Sequence, residues 1–75
     1  MPMSKAIYTE EHKNLIRKLK SARLSAKLDQ KTAAKLLNKS QSYVSKMESG
    51  QRRVDIVQLK ALADVYKKSI DYFLN

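Results

Sequence analysis

The stretch Gln30–Ser49, QKTAAKLLNKSQSYVSKMES, decides the fold of this chain. Apolar residues recur at helical spacing on both sides of a short break, Leu37-Asn38-Lys39-Ser40. The segment after the break also has a polar outer face. Two short helices joined in this way indicate a helix-turn-helix, in which one helix braces and the other lies in the major groove of DNA.

The composition of the whole chain excludes several kinds of chemistry. The chain has 75 residues and no cysteine, so it can form neither disulfides nor thiolate metal sites. Its one histidine, His12, cannot make a metal site or a catalytic triad alone. The sequence shows no paired-carboxylate cleft, no nucleophile–histidine pairing and no glycine-rich phosphate loop. We therefore expect no enzymatic activity, no metal and no cofactor.

The sequence gives no sign of a membrane or export signal. No apolar run approaches the roughly 20 residues that a spanning helix needs. The first five residues lack the apolar region of an export signal, so we expect a cytoplasmic protein. Residues 1–8 are expected to form an N-terminal arm, either ordered or disordered, and residues 9–75 a helix-turn-helix DNA-binding domain.

The net charge of +9 is distributed unevenly along the chain. Residues 1–28 hold seven Lys or Arg against two acids, residues 29–53 six against two, and residues 54–75 three against three. The basic surface therefore coincides with the helix-turn-helix and the helix before it. A nucleic acid partner explains this asymmetry, and a lysine-rich solubilising surface is the alternative.

The chain is predicted to be all-helical, because it has one Gly, one Pro and no alternating β-branched run. Four helices should begin after residues that cap helices well, and a fifth after Ser69. The four caps are Thr9, Asp29, Ser40 and Asp55. The second helix should run through Leu37, and the third should end near Ser49 with Gly50 in the left-handed conformation. Asp55 and Gln58 have the pattern of a capping box.

Apolar residues at helical spacing predict which side of each helix faces the core. The stripe on the first helix is Leu15, Ile16, Leu19, Ala22 and Ala26. The stripe on the fourth helix is Ile56, Leu59, Leu62, Ala63 and Tyr66. Val44 and Met47 should anchor the third helix, and Ala33 and Ala34 are small enough for the second helix to cross it closely. Val54 and Leu59 are spaced as a hydrophobic staple.

From Leu15 to Leu74 the chain resembles the DNA-binding domain of the phage-repressor and Cro-like helix-turn-helix family, the XRE family. The residues that carry the resemblance are Arg23, Leu28-Asp29-Gln30, Ala34, Ser40-Gln41-Ser42, residues 44–50 and residues 54–59. The resemblance implies a compact five-helix, lambda-repressor-like domain. The family often has Gly where this chain has Lys27, Asn38 and Lys67. Asn tolerates the left-handed region, whereas Lys there costs about 1 kcal/mol unless the turn adopts another geometry.

The outward face of the third helix is the predicted base-reading surface. Its residues are Gln41, Ser42, Ser45 and Lys46. Gln pairs with adenine, Ser with several bases and Lys with guanine. The resemblance points to the same places, because the positions matching Gln41, Ser42 and Lys46 read bases in related repressors. The alternative is an ordinary solvated helix face, and Lys46 has phosphate as an alternative target.

A second set of residues is predicted to contact DNA phosphates, which positions a protein without reading sequence. The set is Gln30, Lys39, Ser40, Tyr43, Ser49, Gln51, Arg52 and Arg53. The resemblance implies that Gln30 hydrogen-bonds a phosphate. Ser40 is first of all a helix cap. The sequence leaves two roles open for Tyr43. Its hydroxyl contacts a phosphate, or its ring packs partly in the core.

Arg23 and Glu48 have a structural role in the family that the chain resembles. Related repressors hold the matching Arg and Glu as an ion pair between the first and third helices. The alternative is a solvated Arg23 that contacts phosphate directly.

These observations predict a DNA-binding transcriptional regulator that reads an inverted-repeat operator in double-stranded DNA as a homodimer. The expected dimer surface is the charge-neutral C-terminal end, including Ile70, Tyr72, Phe73 and Leu74. Closing the monomer core is the alternative role for these residues, and it is the role that we expect for Phe73. Two other functions are considered. One is the antitoxin of a toxin–antitoxin pair, with a small protein partner, and the other is a non-specific architectural or RNA-binding protein.

Overall fold

The computed structural model describes residues 9–74 of the protein, and within that range it contains helices and no strand. The helices are α1 (Glu10–Ser25), α2 (Gln30–Leu36), α3 (Gln41–Glu48), α4 (Ile56–Tyr66) and α5 (Ile70–Leu74). The predicted all-α class with five helices is therefore confirmed. The predicted N-terminal arm, residues 1–8, lies outside the described residues.

Each of the first four helices begins where a polar side chain caps it. The side chains of Thr9, Asp29, Ser40 and Asp55 each accept a hydrogen bond from the backbone N–H three residues later, at 2.7–3.3 Å. The Gln58 side chain in turn accepts a hydrogen bond from the Asp55 backbone N–H at 3.0 Å, which completes the predicted capping box. Because a cap is a local interaction, the sequence was sufficient to predict all four starts.

The same kind of turn ends α1 to α4. A residue with positive φ follows each helix: Lys27 (61°), Asn38 (61°), Gly50 (84°) and Lys67 (59°). After α1, the Lys27 N–H donates to the Leu24 carbonyl at 3.0 Å and the Leu28 N–H to the Arg23 carbonyl at 3.2 Å, which is a Schellman motif. Both lysines therefore adopt the left-handed geometry rather than avoiding it. Each carries a backbone cost of about 1 kcal/mol that Gly would not.

The core is formed by one apolar side of each helix. Its buried residues are Leu19, Ala22, Ala33, Ala34, Tyr43, Val44, Met47, Leu59, Leu62, Ala63, Tyr66 and Phe73. The prediction that Ile56 is buried is wrong, since 57% of it is exposed. Ile56 is the first residue of α4, and helical side chains lean toward the N-terminus, so this one extends beyond the end of the core. Val54, just before the helix, packs against the core instead.

The short helix α5 closes the core at the C-terminal end. Phe73 is buried, Ile70 and Tyr72 are half-buried against the core, and Leu74 is exposed. The Phe73 and Tyr72 rings meet edge to face with centroids 5.0 Å apart. Phe73 therefore closes the monomer core, as expected.

Candidate nucleic-acid interface

α2 and α3 pack closely because small residues lie where they meet. Ala33 and Ala34 on α2 are buried, and Val44 and Met47 on α3 are fully buried. The connection is short because Asn38 takes the left-handed conformation that ends α2. α3 is thus fixed with one side in the core and the other side on the surface.

The surface side of α3 presents a row of four polar side chains. Gln41, Ser42, Ser45 and Lys46 are all exposed. Their spacing of i, i+1, i+4 and i+5 places them together on one face of the helix. The row offers an amide, two hydroxyls and an ammonium, which are groups that can bond to base edges in a major groove.

A buried ion pair connects this helix to α1. Arg23 donates from Nε to Glu48 Oε2 at 2.7 Å and from Nη2 to Glu48 Oε1 at 3.0 Å. Its Nη1 donates to the Leu28 carbonyl at 2.8 Å, and the two side chains are only 7% and 4% exposed. The hydrogen bonds to Glu48 raise the pKa of Arg23. The pair joins the C-terminal part of α1 to the last residue of α3 and so fixes the angle between them.

Gln30 is a third member of this group, which sequence reasoning missed. Its Nε2 donates to Glu48 Oε1 at 3.1 Å, so the Glu48 carboxylate connects α1, α2 and α3. The contact joins residues 18 positions apart, and no spacing rule for a single helix predicts it. The sequence offers one weak signal for this contact. Gln30 is a second polar residue at the start of α2, after the Asp29 cap, beside the predicted ion pair.

Tyr43 lies between the reading row and the core. It is 9% exposed, and burial raises the pKa of its phenol. The Arg52 guanidinium carbon lies 4.8 Å from the centroid of its ring, and Lys39 Nζ lies 5.4 Å from the same centroid. The structure thus places three of the predicted phosphate-contacting residues together.

Comparison with known proteins agrees with this geometry. A family model described as helix-turn-helix matches residues 19–73, from the middle of α1 to α5. The chain belongs to the phage-repressor and Cro-like (XRE) helix-turn-helix family. None of the curated proteins compared with the chain matches it. Membership in this helix-turn-helix family indicates a DNA-binding regulatory domain, a class that is not typically enzymatic.

The remaining candidates of this helix-turn-helix domain surround α3. Lys39, Arg52 and Arg53 are exposed. Ser49 Oγ donates to the Lys46 carbonyl at 3.0 Å and accepts from Gln51 Nε2 at 3.0 Å. The cations are therefore available beside α3, whereas the two neutral residues are bonded to each other.

Other surface features of the helix-turn-helix domain lie away from the reading row. One depression is lined by residues of the α1–α2 turn and the end of α4, and a second by residues of α1 and α5. No helix within residues 9–74 is long and apolar enough to cross a membrane. Among residues 9–74, the predicted base-reading side chains gather on the surface of α3, which is a rigid element.

Proposed function

We propose that the protein is a sequence-specific transcriptional regulator that binds an inverted-repeat operator as a homodimer. The observation that carries this proposal is the exposed row Gln41, Ser42, Ser45 and Lys46 on a helix whose opposite side is fully buried. A rigid helix that presents four hydrogen-bonding groups matches the size of the major groove.

The ion pair supports base reading because base contacts depend on the angle at which a helix enters the groove. Glu48 ends α3 and is bonded to both Arg23 and Gln30. α3 therefore keeps its angle without DNA, and binding need not reorganise it. An amide nitrogen has two hydrogens, so Gln30 can donate one to Glu48 and the other to a phosphate.

Phosphate contacts are proposed beside the reading row. Lys39 precedes α3 in sequence and Arg52 and Arg53 follow it, and the charged groups of Lys39 and Arg52 meet at the Tyr43 ring. Ser40 uses its hydroxyl oxygen to cap α3, which leaves the hydroxyl hydrogen for a phosphate. Tyr43 is proposed to act beside the phosphates through its ring. Ser49 and Gln51 are the other proposed contacts, and they would have to exchange their present hydrogen bonds.

A homodimer is proposed because one such helix reads too few base pairs to be specific, and two half-sites about one helical turn apart correct this. The C-terminal segment, residues 54–75, holds three basic and three acidic residues, so two copies can meet there without net repulsion. Leu74 is exposed and Ile70 and Tyr72 are half-buried at this end. These three residues are the proposed dimer contact. We also propose a cytoplasmic location, because the proposed partner is DNA.

The test is selection of binding sites from a random duplex library by the purified protein at physiological salt. We expect enrichment of an inverted repeat with half-sites about 10 base pairs apart. If each subunit neutralises about four phosphates, log K should fall with log salt at a slope of about −7 per dimer.

Matched variants separate base reading from general charge. Gln41→Ala and Lys46→Ala should change the selected motif, because their side chains lie in the exposed row. Lys60→Ala removes the same charge from the exposed surface of α4 and should leave the motif unchanged. Recovery of no motif despite binding at low salt would contradict the proposal and favour a non-specific architectural protein. Recovery of a motif only with a co-purifying small protein would favour the antitoxin alternative.

A further inference from the structure

Two cations from opposite ends of α3 converge on the ring of Tyr43. Lys39 comes just before the helix and Arg52 comes three residues after the Ser49 cap. The two charged groups lie 5.4 and 4.8 Å from the ring centroid, which is within the range of cation–π attraction. Tyr43 is 9% exposed, whereas Lys39 and Arg52 are exposed, so the ring is fixed in the protein and the cations lie between it and the solvent.

This arrangement is not explained by core packing alone. A buried Leu or Ile would fill the same space but would not attract a cation. Lys39 and Arg52 carry like charges, so bringing both to one ring is unfavourable unless the ring or an anion compensates. A DNA phosphate next to the ring would supply that anion.

We propose that Tyr43 is a positioning residue whose aromatic ring holds Lys39 and Arg52 ready for DNA phosphates. The inference rests on the proposed DNA-binding function. It assigns the contribution of Tyr43 to the face of its ring and gives its hydroxyl no necessary contact with DNA.

The physical reason is the entropy of long side chains. Lys and Arg lose rotamer freedom when they are held against a phosphate, and this loss weakens binding. A ring that orders them beforehand removes part of the loss. A guanidinium held by its face keeps its in-plane N–H groups free, and an ammonium keeps the hydrogens that point away from the ring. Loss of this ordering for both cations should weaken DNA binding on the order of 10-fold per subunit.

The test keeps the shape of the side chain and changes only the charge on its ring face. Tyr43→Phe is made first, followed by phenylalanines at position 43 that carry one, two and three fluorines. The probe is random-sequence duplex DNA at low salt, which requires no knowledge of the operator. We expect Tyr43→Phe to bind within about twofold of the wild type, and affinity to fall stepwise with each fluorine, because fluorine withdraws the negative charge of the ring face.

The chain supplies a matched control on α4. Lys60 is exposed and lies outside the proposed DNA and dimer contacts. In a Lys60→Gln background the fluorinated series at position 43 should keep its full slope. In an Arg52→Gln background the series at position 43 should become shallower, because one of the two cations is gone. Thermal unfolding followed by circular dichroism checks that every variant folds.

Each remaining outcome decides against the inference. If Tyr43→Phe weakens binding as much as the trifluorinated residue does, the hydroxyl makes the contact. If affinity is flat across the series while the wild type binds DNA, the ring does not position the cations, and only this inference fails. If the wild type binds no duplex at all, the proposed function itself fails.

Discussion

Replacement of Glu48 by Gln tests whether the buried carboxylate holds α3 in place. Arg23 is only 6% exposed, and the change leaves its buried positive charge with no opposing charge. It also replaces one of the two acceptor oxygens by an NH2 donor, which then faces either the Nε or the Nη2 donor of Arg23, now 2.7 and 3.0 Å from the carboxylate oxygens. We expect the free energy of unfolding to fall by about 3 kcal/mol, the lower end for a broken buried pair, because Arg23 keeps its bond to the Leu28 carbonyl.

That loss is a large part of the total stability. A domain of this size has a free energy of unfolding of roughly 4–11 kcal/mol. The expected fall in the midpoint of thermal unfolding is about 15 °C. The measurement is urea and thermal unfolding by far-UV circular dichroism, without DNA, so that binding does not contribute.

Glu10→Gln is the control, because it makes the same change in a surface pair. Glu10 lies 3.8 Å from Lys13, with both side chains mostly exposed, and should contribute less than about 1 kcal/mol. A loss below about 1 kcal/mol for Glu48→Gln would refute the assignment of a buried, structural pair. A double-mutant cycle of Arg23→Met and Glu48→Leu gives a second test, since simple additivity of the two losses would also refute it.

Three further predictions concern local features. Lys27→Gly should raise the free energy of unfolding by about 1 kcal/mol in urea unfolding because φ at this residue is 61°, and an equal gain for Lys27→Ala would contradict this reason. The hydrogen bond from the Thr32 backbone N–H lowers the pKa of Asp29 from its ordinary value of 3.8. The ionised Asp29 side chain therefore stabilises the fold above that pH, and this stabilisation is lost as the pH falls through the folded pKa. The stability difference between the wild type and Asp29→Asn should therefore shrink below about pH 4, and a constant difference would contradict the assignment. Burial and the charge of Arg53 lower the pKa of His12 below 6.5. As the pH falls, His12 is therefore protonated in the unfolded chain before it is protonated in the folded protein. Thermal unfolding should show the wild type losing stability as the pH falls from 6.5 to the folded pKa, and His12→Gln should lack this step.

The features that sequence predicted well are local ones. Thr9, Asp29, Ser40 and Asp55 each cap a helix within three residues of themselves, so their neighbours in sequence determine the outcome. Ile56 was placed wrongly because helical spacing alone cannot say where the core ends.

The interactions that sequence did not predict depend on distance in space. The bond of Gln30 to Glu48 joins α2 to α3, and Arg52 reaches the Tyr43 ring from the segment that follows α3. These partners become neighbours only after the chain folds, whereas Lys39 lies just four residues before Tyr43. The left-handed lysines are a different case, because Lys27 and Lys67 give no local signal for that geometry, which is set by the turn that ends each helix.

α3 has eight residues, fewer than the roughly 12–15 that make an isolated helix marginally stable in water. Its position must therefore come from its inward side, where Val44 and Met47 are buried and Glu48 is bonded to two other helices. The outward row shares none of these roles, and substitutions of exposed residues usually change stability by less than about 0.5 kcal/mol. The residues proposed to read DNA can thus change without unfolding the domain. The binding specificity of this helix-turn-helix domain is separable from its fold because the two depend on opposite faces of the same short helix.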